Sequence, residues 1–289
     1  MALDAAYAHC AELVQAQDRD RFLSALFAPE AARPHLYALA AFNIEVARVR
    51  EVVHEPLPGE IRLAWWREVL EGQGRGDVEG HPVAMALMDT VARCALPVAS
   101  LLALIDARTF DLYDDPMPSL NDLEGYAGET ASALIQLGAL VLDREEAPPM
   151  ANAAGHGGVA VALAGLMRAF PLHAARGQCF LPLDILARHG GGREDAVSGT
   201  AGPALLASLA GLRGEAHRHL ASAAAALKGL PPHLAPAFLP LALVAGDLKA
   251  LSRVRDPFRQ VAGLPRLRRQ FALWRAARLA GKGLPFLKD

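Results

Sequence analysis

Ala151-Asn-Ala-Ala-Gly-His-Gly-Gly-Val-Ala-Val-Ala-Leu-Ala-Gly-Leu-Met-Arg-Ala-Phe170 decides the fold class. Nearly every residue in it is small or apolar, on all sides rather than along one stripe. A helix that is apolar all round is buried, so this segment is expected to run through the middle of a helical bundle until Pro171 interrupts it. The rest of the chain supplies helices to surround it. The 289 residues include 58 Ala and 46 Leu but only 5 Ile and 4 Thr. Ala and Leu head the helix propensity scale, whereas strands favour the scarce β-branched and aromatic residues. The sequence therefore reads as all-α.

Working outward, apolar spacing and Pro/Gly punctuation predict helices over Asp4–Ala16, Arg21–Phe27, Ala31–His54, Glu60–Glu71, Pro82–Cys94, Pro97–Tyr113 and Leu120–Leu142. After the central segment come a short helix beyond Pro182, then Ala204–Leu227, Leu234–Leu251 and a basic helix at about 265–280. The turn-rich stretch His189–Gly202 is either a domain boundary or a surface loop. It is taken as a loop, so residues 1–289 form one domain, because the flanking helices alone make a poor core.

Lys and Arg number 29 against 31 Asp and Glu, with 21% of residues charged. That balance excludes a dedicated polyanion binder, and no nucleic-acid motif is present. Cys10, Cys94 and Cys179 lie far apart, which is neither a zinc pattern nor a disulfide framework and fits a reducing cytoplasm. No secretory signal is visible, and the longest apolar runs, Ala131–Leu142 and Gly157–Met167, fall short of the roughly 20 residues that cross a bilayer. The expected location is the cytoplasm, with peripheral attachment to the inner membrane as an option. No GxxxxGK[ST] loop and no Ser/His/Asp set is apparent.

An ordered set of segments carries more information. It comprises Phe22-Leu-Ser-Ala-Leu-Phe-Ala-Pro29, Leu36-Tyr-Ala-Leu-Ala-Ala-Phe-Asn43, Glu60-Ile-Arg-Leu-Ala-Trp-Trp-Arg67, Leu104-Ile-Asp-Ala-Arg-Thr-Phe-Asp-Leu112, Tyr126-Ala-Gly-Glu-Thr130, Gly157 to Arg168, and Arg176-Gly-Gln-Cys-Phe-Leu-Pro182. In this order and spacing the chain resembles the squalene/phytoene synthase family. The resemblance implies an isoprenoid synthase-type bundle around a central apolar cavity, and head-to-head condensation of two prenyl diphosphates. It also implies two helices facing across the cavity mouth, each with an aspartate-rich motif. Carboxylates four apart share a helical face, magnesium takes carboxylate and phosphate oxygens, and the metal draws charge off the leaving diphosphate.

The chain departs from the family at those motifs. Where the first is expected the sequence reads Ala47-Arg48-Val49-Arg50-Glu51, with one acid left. After Arg168, where the second is expected, stand Ala169 and His173. The family's Tyr and Arg beside the first motif are replaced by Ala40 and Ile44. Arg48 puts a permanent positive charge near a former metal position. The segments Ala41 to Glu51 and Gly59 to Arg67 are similar to a non-catalytic subgroup that acts in assembly of respiratory complex I. The resemblance thus implies a membrane-peripheral assembly or lipid-binding factor with no cofactor. The alternative it leaves is a magnesium-dependent prenyltransferase using displaced acids such as Glu45, Glu51, Asp111 and Asp115.

Arg48, Arg50, Arg62, Arg67, Arg108, Arg168 and Arg176 recur on helices that the family places at the mouth. With Glu51, Tyr37 and Asn43 they form a candidate pocket for a prenyl diphosphate or phospholipid headgroup, since guanidinium forks match phosphate oxygens. The competing reading pairs these arginines with Glu45, Glu51, Glu55, Glu68 and Asp106. Asp111 and Asp115 have i,i+4 spacing, the only candidate metal pair, but Pro116 follows and a solvated helix end is the plainer reading. His173 reads as a packing or hydrogen-bonded residue, and His217 and His219, two apart, share no face. The stretch Arg253–Asp289 holds ten Lys and Arg against Asp256 and Asp289, interleaved with Phe271, Leu273, Trp274 and Leu279. It suits an anionic lipid surface, an acidic partner such as a respiratory-complex protein, or simply closure of the bundle.

Overall fold

The computed structural model describes residues 2–53, 55–74, 78–283, 285 and 287, and among these there is no strand. His54, which ended one expected helix, part of the Gly-rich loop at 75–77, and Lys288 and Asp289 of the basic tail lie outside the described residues. The first half consists of α1 (Leu3–Gln17), α2 (Arg19–Ala25), α3 (Arg33–Ala47), α4 (Val49–Val52), α5 (Pro56–Leu70), α6 (Pro82–Cys94) and α7 (Val98–Thr109). Next come α8 (Leu120–Ala127), a π turn over Gly128–Ser132, and α9 (Ala133–Leu142). The second half consists of α10 (Ala151–Ala175), α11 (Leu183–Arg188), α12 (Arg193–Val197), α13 (Pro203–Ala226), α14 (Ala235–Phe238), α15 (Val244–Leu251) and α16 (Arg266–Ala280).

α10 is the central helix, packed against α13, α9, the π turn, α15 and α8. Two glycines make this possible. A Cβ on Gly158 would lie 2.3 Å from the Ser132 backbone, and one on Gly157 would lie 2.6 Å from a Leu241 methyl. Ser132 Oγ then donates to the Gly155 carbonyl at 2.7 Å, fastening the crossing. With Pro148–Met150 at its start, this helix is long and apolar enough by length and composition to cross a membrane, as is Pro232–Leu251. The run Gly157–Met167 read in the sequence understated the first, and the second held none of the runs singled out there; each packs within the bundle.

Several expected helices are broken, each for a local reason. Ala31–His54 divides at Arg48 into α3 and α4, in a stretch with valine at Val46, Val49, Val52 and Val53, a β-branched run that weakens helix. Leu120–Leu142 takes in the π turn where Thr130 Oγ1 donates to the Tyr126 carbonyl at 2.6 Å and competes with the backbone ladder. Leu234–Leu251 tightens into 3-10 geometry over Leu239–Leu243, between Pro236 and α15 and containing Pro240. Conversely, Pro171 does not end α10. The helix continues to Ala175, held by buried Phe170 and Ala174, and the chain turns at Gly177 with φ +75°.

The Gly158 contact gives a stability prediction. Gly158→Ala is expected to destabilise by about 1–3 kcal/mol, because an inserted methyl meets backbone. Gly165→Ala, where nothing lies within 4 Å, is expected to gain up to about 1 kcal/mol of helix propensity. Urea denaturation of the two variants checks the opposite signs.

Candidate functional site

The break at Arg48 sets the geometry of the mouth. It brings Arg48 Nε to 3.0 Å from Glu51 Oε2, and Arg48 also donates to Gln17 Oε1 on α1 at 2.5 Å. From the far end of α10, Arg176 Nη1 reaches Glu51 Oε1 at 3.6 Å. One carboxylate therefore joins the segment in which the first metal motif was expected to Arg176, one turn beyond His173 of the second. His173, one turn before Arg176, packs against Phe180 with ring centroids 4.7 Å apart. Burial, reinforced by the Arg176 charge, pulls its pKa down to about 4 against the opposing effect of Glu51. The imidazole is neutral near pH 7.

Behind the mouth is a buried triad. Arg108 Nη1 donates to Asp111 Oδ2 at 3.0 Å and to the Tyr126 hydroxyl at 2.6 Å, and that hydroxyl donates to Asp111 Oδ1 at 2.8 Å. Gln178 Nε2 donates to the Asp111 carbonyl at 3.1 Å. Burial pushes the Asp111 carboxyl above its ordinary range, partly offset by Arg108 and Tyr126. Tyr126 is likewise raised, by burial. The solvated helix end expected for Asp111 is thus corrected: the residue is buried. The i,i+4 pairing is corrected too. α7 ends at Thr109, a 3-10 turn covers Phe110–Leu112, and Tyr113 is extended, so exposed Asp115 shares no helical face with Asp111.

A second ion-pair cluster lies along α10. Arg168 Nη1 is 3.3 Å from Asp247 Oδ2, and Arg269 donates to Asp247 at 2.7 and 2.9 Å and to Asp20 at 2.5–3.1 Å. Burial works against the Arg269 charge, and the Asp20 and Asp247 carboxylates more than offset it. These groups border a cleft of about 720 Å³ whose lining includes Asp18, Arg21, Val161, Ala164 and Leu243. An apolar void of about 50 Å³ lies among Leu36, Leu39, Ala40, Leu134 and Ile135. It is smaller than the ~150 Å³ cavity that accepts benzene.

Six of the seven arginines face a carboxylate: Arg48 and Arg176 share Glu51, while Arg50, Arg67, Arg108 and Arg168 meet Asp114, Asp106, Asp111 and Asp247. Ion pairing prevails, and among the described residues its partners include Glu51 and Asp106 from the expected set. Arg62 and Arg67 sit on α5, where Arg62 and Arg48 border a hollow of about 360 Å³ with Trp65, Trp66 and His81. Tyr37 is buried and stacks on Phe22 at 5.3 Å; Asn43 is half-buried on α3. The seven arginines therefore do not line one pocket.

Sequence reasoning missed Asp20, Asp247 and Arg269 as a group. The available signal was Asp247 itself, the one acid in an apolar helical stretch, since such a carboxylate is rarely buried unless paired. It also missed the link between His219 and His156, whose Nδ1 atoms lie 3.0 Å apart, with Glu124 2.9 Å from His219 Nε2. The three free cysteines form no cluster.

The residues at the mouth do not fit a magnesium cluster. At the positions where the two motifs were expected stand methyl groups at Ala47 and Ala169, a guanidinium at Arg48, an imidazole at His173, and one carboxylate whose two oxygens already face guanidinium groups. Magnesium needs several hard oxygens in octahedral geometry.

A squalene/phytoene synthase family model matches residues 14–272. The chain belongs to the squalene/phytoene synthase family. Within it, the chain is 33% identical over 246 residues to a Rattus norvegicus protein named NADH dehydrogenase (ubiquinone) complex I, assembly factor 6, covering 85% of this chain and 74% of that one. The Homo sapiens protein of the same name is 31% identical with the same coverage. Among solved structures, a squalene synthase from Alicyclobacillus acidocaldarius superposes with a TM-score of 0.72 at 21% identity, covering 87% of this chain and 94% of that one. The isoprenoid synthase fold expected from the sequence is therefore present.

The depressed pKa of His173 has a consequence for stability. Between pH 6.5 and about 4 the unfolded chain binds a proton that the native imidazole refuses, so stability falls as pH falls through that window. The wild type is expected to lose about 2 kcal/mol more than His173→Gln between pH 7 and pH 5. Paired urea titrations at the two pH values measure this.

Proposed function

We propose that the chain is an assembly factor of the complex I type, built on the synthase fold, that does not turn over prenyl diphosphates. The observation that carries this reading is Glu51, held between Arg48 and Arg176 where a catalytic member needs free carboxylates. An ionising allylic diphosphate requires positive charge delivered by metal at the mouth. Here Arg48 and Arg176 are both engaged by the one Glu51 carboxylate. The similarity to proteins named as complex I assembly factors, extending over 85% of the chain, supports the biological half of the reading. The partner is then a respiratory-complex protein. A lipid or prenyl diphosphate held without reaction would sit in the cleft, its anionic end toward Arg21 and Arg168.

Two measurements test the two halves. Incubation with farnesyl or geranylgeranyl diphosphate and magnesium is expected to release no diphosphate above the protein-free control. Turnover near ~1 s⁻¹ or faster, the usual enzyme range, that Glu51→Ala abolishes would contradict the catalytic half. Deletion in the source organism is expected to lower complex I activity severalfold while squalene and phytoene stay unchanged. Unaltered complex I activity would contradict the assembly half.

A further inference from the structure

α16 carries two apolar faces where a helix that only closes a bundle needs one. The inner face buries Leu273, Ala276 and Ala280, and Arg269 beside them is tied to Asp20 and Asp247. This fixes the helix rotationally. The outer face then presents Leu267, Phe271 and Trp274, which are 79%, 60% and 46% exposed. Their i, i+4, i+7 spacing places them on one line. The Phe271 and Trp274 rings lie 5.8 Å apart, and the Arg278 guanidinium sits 5.1 Å above the Trp274 ring. Half-exposed Phe27 borders the same end of the helix, beside Ala277, Arg278 and Lys282.

The charge around this face has one sign. From Phe258 to Gly283 there are seven Arg and Lys and no Asp or Glu. Arg268, Arg275 and Lys282 recur every seventh residue, so they run as a line flanking the apolar one. All three are exposed, and none pairs with a carboxylate among the described residues.

We propose that this outer face of α16 docks the protein on an anionic lipid bilayer, with Leu267, Phe271 and Trp274 inserted at headgroup depth and Arg268, Arg275, Arg278 and Lys282 on the lipid phosphates. Three features select this occupant. Tryptophan and arginine side by side match the interfacial layer, where an amphipathic ring and a cation are both satisfied. The apolar line runs along one exposed helix over Leu267, Phe271 and Trp274, which suits a planar surface. A second copy docking through the same patch would set it against itself, bringing unpaired cations together. The surface is separate from the mouth, and its role does not rest on the assembly reading.

Co-sedimentation of the full chain with vesicles is the test. Binding is expected to phosphatidylcholine vesicles containing phosphatidylglycerol, and it weakens as salt screens the cations. Phe271→Ser with Trp274→Ser is expected to reduce partitioning at least about tenfold, and Arg268→Glu with Arg275→Glu by about tenfold or more. Melting curves of both variants establish that they fold. As a second readout that leaves the bundle intact, Trp274→Phe is expected to keep binding but lose most of the fluorescence quenching by brominated lipid. Absence of sedimentation, equal binding to pure phosphatidylcholine and to the anionic vesicles, or unchanged binding by both folded double variants would overturn the proposal.

Discussion

The close approach of α10 to the π turn, permitted by the missing side chain of Gly158, is the constraint on which the molecule depends. It fixes the central helix against α8 and α9 and so determines what its distal half presents. At 1.5 Å per residue, Arg168 follows about 15 Å beyond the contact and Arg176 about 27 Å beyond it. The first reaches the cleft and Asp247. The second reaches the mouth and Glu51. A methyl at Gly158 would displace both ion pairs together with the packing.

At the mouth, two helix segments of a synthase-type bundle meet with few carboxylates between them. A catalytic bundle of this type would join these segments through divalent metal and substrate phosphate. Here a single glutamate flanked by two arginines makes the connection. The pairs are half-exposed, so they contribute little to stability. What they do is tie α4 to the C-terminal end of α10. Deeper in, Arg108, Asp111 and Tyr126 satisfy one another away from water, where an unpaired charge would be costly.

The sequence conveyed some levels of this structure better than others. Helix class and the centrality of α10 were legible, because Ala/Leu content and all-round apolarity are properties of the chain itself. That Ala47, Arg48, Ala169 and His173 offer no hard oxygen ligands was legible from the residue types alone. The partners of the arginines were largely not. Asp247 lies 79 residues from Arg168 and Glu51 lies far along the chain from Arg176, and no local pattern encodes such pairings. Asp111 was misread because Pro116 suggested a solvated end, whereas its burial comes from Tyr126 and Gln178 on other segments. The break at Arg48 and the π turn were missed because both arise where local side-chain preferences interrupt an otherwise helical pattern. The basic segment was read as serving either the bundle or an external surface. α16 has a face for the first and an exposed apolar line beside unpaired cations.

The central claim is that the mouth has exchanged metal ligands for an internal ion pair. Isothermal titration of magnesium into the purified chain, alone and with inorganic pyrophosphate, tests it most directly. The expected result is no saturable magnesium site on the protein under either condition, once the protein-free titration of magnesium into pyrophosphate is subtracted. A stoichiometric site that appears with pyrophosphate and disappears in Glu51→Gln would contradict the account.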